Sequence, residues 1–287
     1  INAGPGTISL TPNGGTGTTL TLGNTWTRNA GGTLNIDLSA TGTKTLTSSP
    51  TLTNGIIGGY AVVTDATSTG FATVSTGSVV RNTTLTALAA DSNDSTVNYS
   101  TSGNLTLNSG NHATNSLTID TSSVGGTLDL GGASDILSFA GGALLVVGTN
   151  NYTIQNGQVG ADSAELIVRH FGSGTLTISG TISSGTGSLT KSGSGTLILS
   201  GTNAFTGAVN FNAGTISSGA LNNLGNGGAL TFAGGTLQFT GVFDPSSRTM
   251  TFNAGGATFN TGANNITFAN SVGNNSTGSM TKTGSGS

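Results

Sequence analysis

Residues Gly172–Gly219 read GSGTLTISGTISSGTGSLTKSGSGTLILSGTNAFTGAVNFNAGTISSG. Within them, GSGTLTISG at Gly172–Gly180 returns as GSGTLILSG at Gly193–Gly201, 21 residues further on. Each phrase is a short apolar/polar alternation with glycine at both ends. Alternation at period two is the mark of a strand with one buried face, and recurrence at a spacing near 20 residues is the mark of a solenoid. A four- to six-residue strand buries too little apolar surface to persist alone. Stacked rung on rung, such strands satisfy one another's backbone groups and enclose a continuous core.

The same phrasing spreads outward. GGTLNIDLS at Gly31–Ser39 returns as GGTLDL at Gly125–Leu130 and GGTLQF at Gly234–Phe239. Leu34, Ile36, Leu38, Leu197, Leu199, Leu237 and Phe239 are expected to point inward. Thr43–Leu52, Ile56–Val63 and Phe71–Val80 read as strands, and Leu144–Val147 reads as a strand covered on both faces. Ala164–Phe171 is the most charged strand, with Leu166, Val168 and His170 on one parity and Glu165, Ile167, Arg169 and Phe171 on the other. Pro5 and Pro12 are assigned to turns, and Trp26 to the edge of the core. From Phe205 onward phenylalanine becomes the preferred large residue, as expected if like side chains stack in one layer. Thr84–Tyr99 breaks the pattern and reads as a loop or an imperfect rung.

Composition agrees with a rod. The 287 residues include 49 glycines and no cysteine, and only 6% are charged, with a net charge of -3. About 25% charge is usual in a globular domain. In a stack with rungs about 4.8 Å apart, one repeated charge would repel its copies at every level. Seven cations are too few for a nucleic-acid groove. No apolar run reaches the roughly 18 residues of a membrane helix. Disulfides and thiolate metal sites have no residues to build them. A β-sandwich array is the structural rival, but it calls for longer strands joined as hairpins.

Thr186–Gly219 carries Leu189, Lys191, Gly193, Gly195, Leu197, Leu199 and Gly201, then Asn203, Phe205 and Gly207, then Val209, Gly214 and Ile216. This order resembles the autotransporter-associated β-strand repeat of bacterial outer-membrane autotransporter passengers. Met280, Lys282, Gly284 and Gly286 resemble the opening of a further copy. The resemblance implies a right-handed parallel β-helix at, or released from, the cell surface. It says nothing of activity.

The expected fold is therefore all-β, a single right-handed parallel β-helix of short Gly/Asn-cornered rungs. Residues 1–171 are expected to form degenerate rungs with an irregular loop near 84–99. Residues 172–287 are expected to form regular repeat rungs, and both ends fall in mid-repeat. No catalytic, cofactor-binding or metal site is assigned. Asp129 with Asp135, Asp162 and Glu165 beside Arg169 and His170, and Asp91 with Asp94 are the carboxylate groups closest to an enzymatic arrangement. Each is better read as a turn cap or a solvated surface group. His112 and His170 have no metal-ligand spacing. The expected function is a structural or adhesive extracellular rod, and not an enzyme; the alternative is a polysaccharide-binding or polysaccharide-cleaving β-helix. Expected partners are other copies end to end, further rungs of the same precursor, and surface glycans or host and neighbour cells.

Overall fold

A computed structural model describes residues 1–161, 165–273 and 277–287. The chain is all-β, its strands paired in parallel except at the end of the short coil, and among the described residues its single helical element is one 3-10 turn at Leu221–Leu224. Two coils lie side by side, a short one from the first 81 residues and a long one from Thr86 onward.

The long coil has two main faces. One sheet runs through Leu105–Thr106, Gly126–Asp129, Tyr152–Gln155, Thr175–Ile178, Thr196–Leu199, Thr215–Ser218, Thr236–Phe239, Ala257–Asn260 and Met280–Thr283. We call it the threonine sheet, because Thr175, Thr196, Thr215, Thr236, Thr258 and Thr281 pair in one unbroken outward column. Its inward column runs Tyr152, Leu176, Leu197, Ile216, Leu237 and Phe259. The second sheet, the seam sheet, contains Asp94–Thr101, His112–Thr121, Ile136–Gly148, Glu165–His170, Ser188–Ser192, Val209–Phe211, Leu230–Phe232 and Met250–Phe252. A short strip makes a third side, where Ile136–Ser138 pairs with Gln158–Gly160 and that with Thr181–Ile182. Past this point Asn203 takes over the corner. Its Oδ1 accepts the Ile182 amide at 2.6 Å, and its Nδ2 donates to the carbonyl of Asn223 in the next rung. The asparagines of this corner thus hand on to backbone, not to one another's amides.

The inward residues named from the alternation are all buried: Leu34, Ile36, Leu38, Leu197, Leu199, Leu237 and Phe239. The phenylalanines stack as expected, with Phe211 and Phe232 parallel at 4.3 Å and Phe232 edge-on to Phe252 and Phe259. Lys191 also points inward, in the column of Val168 and Phe211. Its ammonium donates to the carbonyls of Ser192, Gly193 and Ala213 at 3.2, 2.8 and 3.2 Å. Burial, then the charge of Arg169, pushes its pKa down to about 7. Lys282 repeats the contact two residues ahead, to Gly284 at 2.9 Å. The phrase that lies in the seam sheet at Ser188–Ser192 nevertheless lies in the threonine sheet at Met280–Thr283. Alternation conveys the parity of a strand, not its side of the coil.

Many glycines sit where one rung passes over the next. A Cβ on Gly207 would lie 1.4 Å from the carbonyl oxygen of Gly187, and one on Gly228 would lie 1.8 Å from that of Gly207. Neither residue has positive φ. Close approach, not backbone handedness, demands glycine in this column.

The short coil differs from a continuous stack. Gly4–Ser9, Gly32–Asp37 and Ala61–Thr64 pair in parallel, as do Gly17–Thr21 and Thr43–Thr47. It then ends in antiparallel pairing: Thr69–Ser75 pairs with Ala61–Thr64 and with Ser78–Arg81, which meets Thr47. The run Phe71–Val80, read as one strand, is thus part of a hairpin turning at Thr76-Gly77. Both residues have positive φ, 47° and 79°, as a two-residue type I′ turn requires. Thr-Gly is a weaker turn signal than Asn-Gly, which hid the hairpin. The short coil has its own core from Leu10 to Val79, separate from the long core from Leu88 to Phe259.

One local expectation changes, that for Pro5, and two gain detail. Pro5 lies inside Gly4–Ser9, at the outer edge of its sheet, where its missing N–H leaves no ladder bond unmade. The irregular loop near 84–99 includes ordered strand, with Asp94–Thr101 entering the seam sheet beside His112–Thr121. Trp26 is half-buried against the short core, with its indole N–H on the Gly23 carbonyl and the Ser48 hydroxyl.

Candidate functional site

The outward positions of the seam sheet ought to face water, yet several are apolar and buried. Ala143, Leu145 and Val147 point away from the long core and pack instead on Ile56, Val62 and Phe71 of the short coil. This explains why Leu144–Val147 lacks an alternating pattern: both faces are covered, as its sequence predicts.

Beyond that apolar patch the seam is polar. Glu165 accepts from Arg28 Nη2 at 2.5 Å, from the Gly31 amide at 3.0 Å and from the Thr190 hydroxyl. Arg28 also donates through Nε to the Gly32 carbonyl at 2.7 Å and lies 5.3 Å from the Tyr60 ring centre. Arg169 is fully buried. Its Nη2 donates to the Leu34 carbonyl at 3.1 Å, and its guanidinium lies 5.2 Å from the Phe171 ring. Burial, then the neighbouring Arg28 charge, lowers its pKa. Asn212 donates to the Gly31 carbonyl and the Thr33 hydroxyl, and Thr33 donates to Ser192. One edge of the short coil, Gly31–Leu34, is thus held by residues from three successive rungs of the long coil.

These contacts use up the candidate chemistry. Glu165 has its oxygens engaged by the seam. His170 lies on the opposite parity, inside the long core, where burial and then the Lys191 charge hold its pKa near 4. Asp162 lies outside the described residues. Asp129 accepts from Gly131, Gln155 and Asn156, which keeps its carboxyl below the usual range, and Asp94 is lowered likewise by the Thr96 hydroxyl and amide. Asp135 keeps one buried oxygen without a partner. Both ring nitrogens of His112 face carbonyls, of Ser92 at 2.6 Å and Asn108 at 2.9 Å, so neither is free to ligate. Among the described residues no three His, Cys, Asp or Glu side chains converge as metal ligands, and no helix is long and apolar enough to cross a membrane.

Sequence reasoning singled out Glu165 and Arg169 but neither Arg28 nor the short coil that they meet. In a chain with only seven cations, Arg28, Arg169 and Lys191 all gather at or beside it. Charges placed on strands of a charge-poor rod were the available signal.

A coil of glycine-spaced rungs whose charged residues hold its own parts together defines a repetitive parallel β-solenoid. The comparisons agree. Residues 189–217 match the Passenger-associated-transport-repeat family, at the stretch whose Leu, Lys and Gly spacing carried the resemblance. The chain is 48% identical over 147 residues to the Adhesin BmaC autotransporter of Brucella suis biovar 1 (strain 1330), a match covering 51% of this chain and 4% of that protein. The chain therefore carries an autotransporter passenger repeat and spans a small fraction of that relative. No solved structure matches it.

Proposed function

We propose that this chain is a structural and adhesive segment of an extracellular, surface-exposed rod. The observation that carries the reading is the parallel ladder from Thr86 to Thr283, whose core is made of repeated inward columns. Such a ladder sets distance and stiffness, and it presents the same outward positions many times over, which favours multivalent contact. The similarity to a protein named as an adhesin supports the same role. Residues 172–287 serve as regular repeat rungs, and residues 1–171 as more variable rungs, the first 81 of them set apart as the short coil. The partners we assign are surface glycans or cells on the outside of the rod, and more rungs or further copies along its axis.

The test is attachment. Beads coated with the full chain are expected to adhere to epithelial cells or to neighbouring bacteria above albumin-coated controls, with contact persisting under flow. No attachment above control defeats the adhesive reading. Electron microscopy over a range of concentrations decides the axial one: threads with a repeat of one chain support it, and monodisperse short rods reject it.

A further inference from the structure

Where the short coil stops covering the seam sheet, a cleft of about 560 Å³ opens between the two coils. That size is within the range of roughly 300–1,000 Å³ usual for small-molecule sites. Its wall changes character along one outward column of the seam sheet. Leu145 lies under the apolar patch of the short coil, and its ladder partner Thr118 lines the cleft.

Two buried polar side chains meet the cleft with unused hydrogen-bonding capacity. Thr118 is 6% exposed, and among the described residues its hydroxyl has no partner in the protein. Asn82 is 7% exposed; its Oδ1 accepts the Thr84 amide at 3.0 Å, while among the described residues its Nδ2 has no acceptor. Asp120, at the rim, uses Oδ1 for the Ser122 amide and leaves Oδ2 open. Arg81, the cation of the lining, is already held by Asp65 at 2.7 Å. Leu88 and Leu105 add apolar surface. The Thr118 hydroxyl and the Asn82 amide are not sealed from water; both open onto the cleft, where a ligand's hydroxyls can take the place of that water.

The geometry points to a binding site for a neutral oligosaccharide. The cleft offers a carboxylate acceptor, an amide donor and a hydroxyl, with aliphatic patches between them. Sugar rings match this mixture, presenting hydroxyls that both donate and accept around C–H faces. An anionic ligand would meet Asp120 with the one cation already engaged, and an extended apolar ligand would leave the polar groups unpaired. The inference rests on the surface-binding reading above and gives it a location.

The test uses the full chain on an array of immobilised neutral and sialylated oligosaccharides, followed by calorimetric titration of the strongest neutral ligand. Retention of neutral oligosaccharides is expected. Thr118→Val, which keeps shape and loses the hydroxyl, and Asp120→Ala, at an exposed position, are each expected to weaken binding about tenfold with melting unchanged. Thr236→Val, on the threonine sheet, is the control expected to bind as the parent. Failure of the parent chain to retain any neutral oligosaccharide overturns the inference, as does parental affinity in both cleft variants or retention of sialylated in preference to neutral oligosaccharides. The bead assay separates the two readings. If Asp120→Ala beads attach as parent beads do and titration shows no loss, the glycan site falls and surface binding stands. If parent beads do not attach, the adhesive reading falls and the array alone decides the cleft.

Discussion

Arg28 and Glu165 form an ion pair at 2.5 Å across the seam, although 137 positions separate them. The pair is largely shielded from water, with 17% and 10% of the two side chains exposed, and the Arg28 charge is felt by the buried Arg169. Removing the carboxylate would leave the Arg28 guanidinium without its anion in a site already repelled by Arg169. Glu165→Gln is expected to weaken docking of the short coil by about 3 kcal/mol, since breaking a buried pair strands its partner. Hydrogen exchange should accelerate in Gly32–Asp37 and Ala61–Thr64 while Thr196–Leu199 stays protected. Unchanged exchange in the short coil would show that the apolar patch alone holds it.

Leu197 and Thr196 are neighbours in one strand with opposite surroundings. Leu197 is fully buried in the column Leu176, Leu197, Ile216, whereas Thr196 stands on the outer threonine column. Leu197→Ala is expected to cost about 2–5 kcal/mol, because stacked rungs above and below limit collapse into the cavity. Thr196→Ala should cost well under 1 kcal/mol. Denaturant unfolding of the two variants checks the contrast, and equal losses would reverse the assignment of faces.

Gly207 leaves no room for a methyl group over Gly187. Gly207→Ala is expected to force two rungs apart and to destabilise by more than about 3 kcal/mol, beyond the loss expected from a backbone preference alone. Gly227→Ala is the comparison: that residue has φ of 101° but nothing within 4 Å of its Cβ position, so its cost should be conformational, about 1–2 kcal/mol. Thermal melting of both variants tests the order. A larger loss at Gly227 would mean that backbone handedness, not rung spacing, governs these corners.

His170 is neutral and buried in the folded chain, with its pKa lowered from 6.5 to about 4 by burial and then by the Lys191 charge. The unfolded chain takes up a proton as pH falls through 6.5, whereas the folded chain does so near 4. Stability should therefore fall as pH drops through this window and be flat above it as far as His170 is concerned. The full loss is on the order of 3 kcal/mol. His170→Leu should flatten the stability profile between pH 6.5 and 4. An unchanged slope in the variant would place the acid sensitivity elsewhere. Below that window Asp65 brings a separate loss: burial raises its pKa, but hydrogen bonds from Thr67, Arg81 and Ser68 outweigh this and hold it well below the usual carboxylate range.

Much of this protein is determined by its sequence alone. Alternation at period two sets which residues point inward, and Leu197, Leu237 and Phe239 follow it because a strand has only two faces. Recurrence of the glycine-bounded phrase sets the stacking, because such short strands have no other way to bury their apolar side. The Leu-x-Lys-x-Gly phrase marks the repeat family for the same local reason. Tertiary structure alone decided that the first residues form a second coil on the flank of the long one, and that Arg28 meets Glu165. It also decided that the phrase of Ser188–Ser192 changes sheets at Met280–Thr283, and that a cleft opens beside Thr118. Parity is a property of neighbouring residues along the chain and can be read there. The side of the coil a strand joins, and what covers its outer face, depend on contacts between residues more than a hundred positions apart, which no local period records.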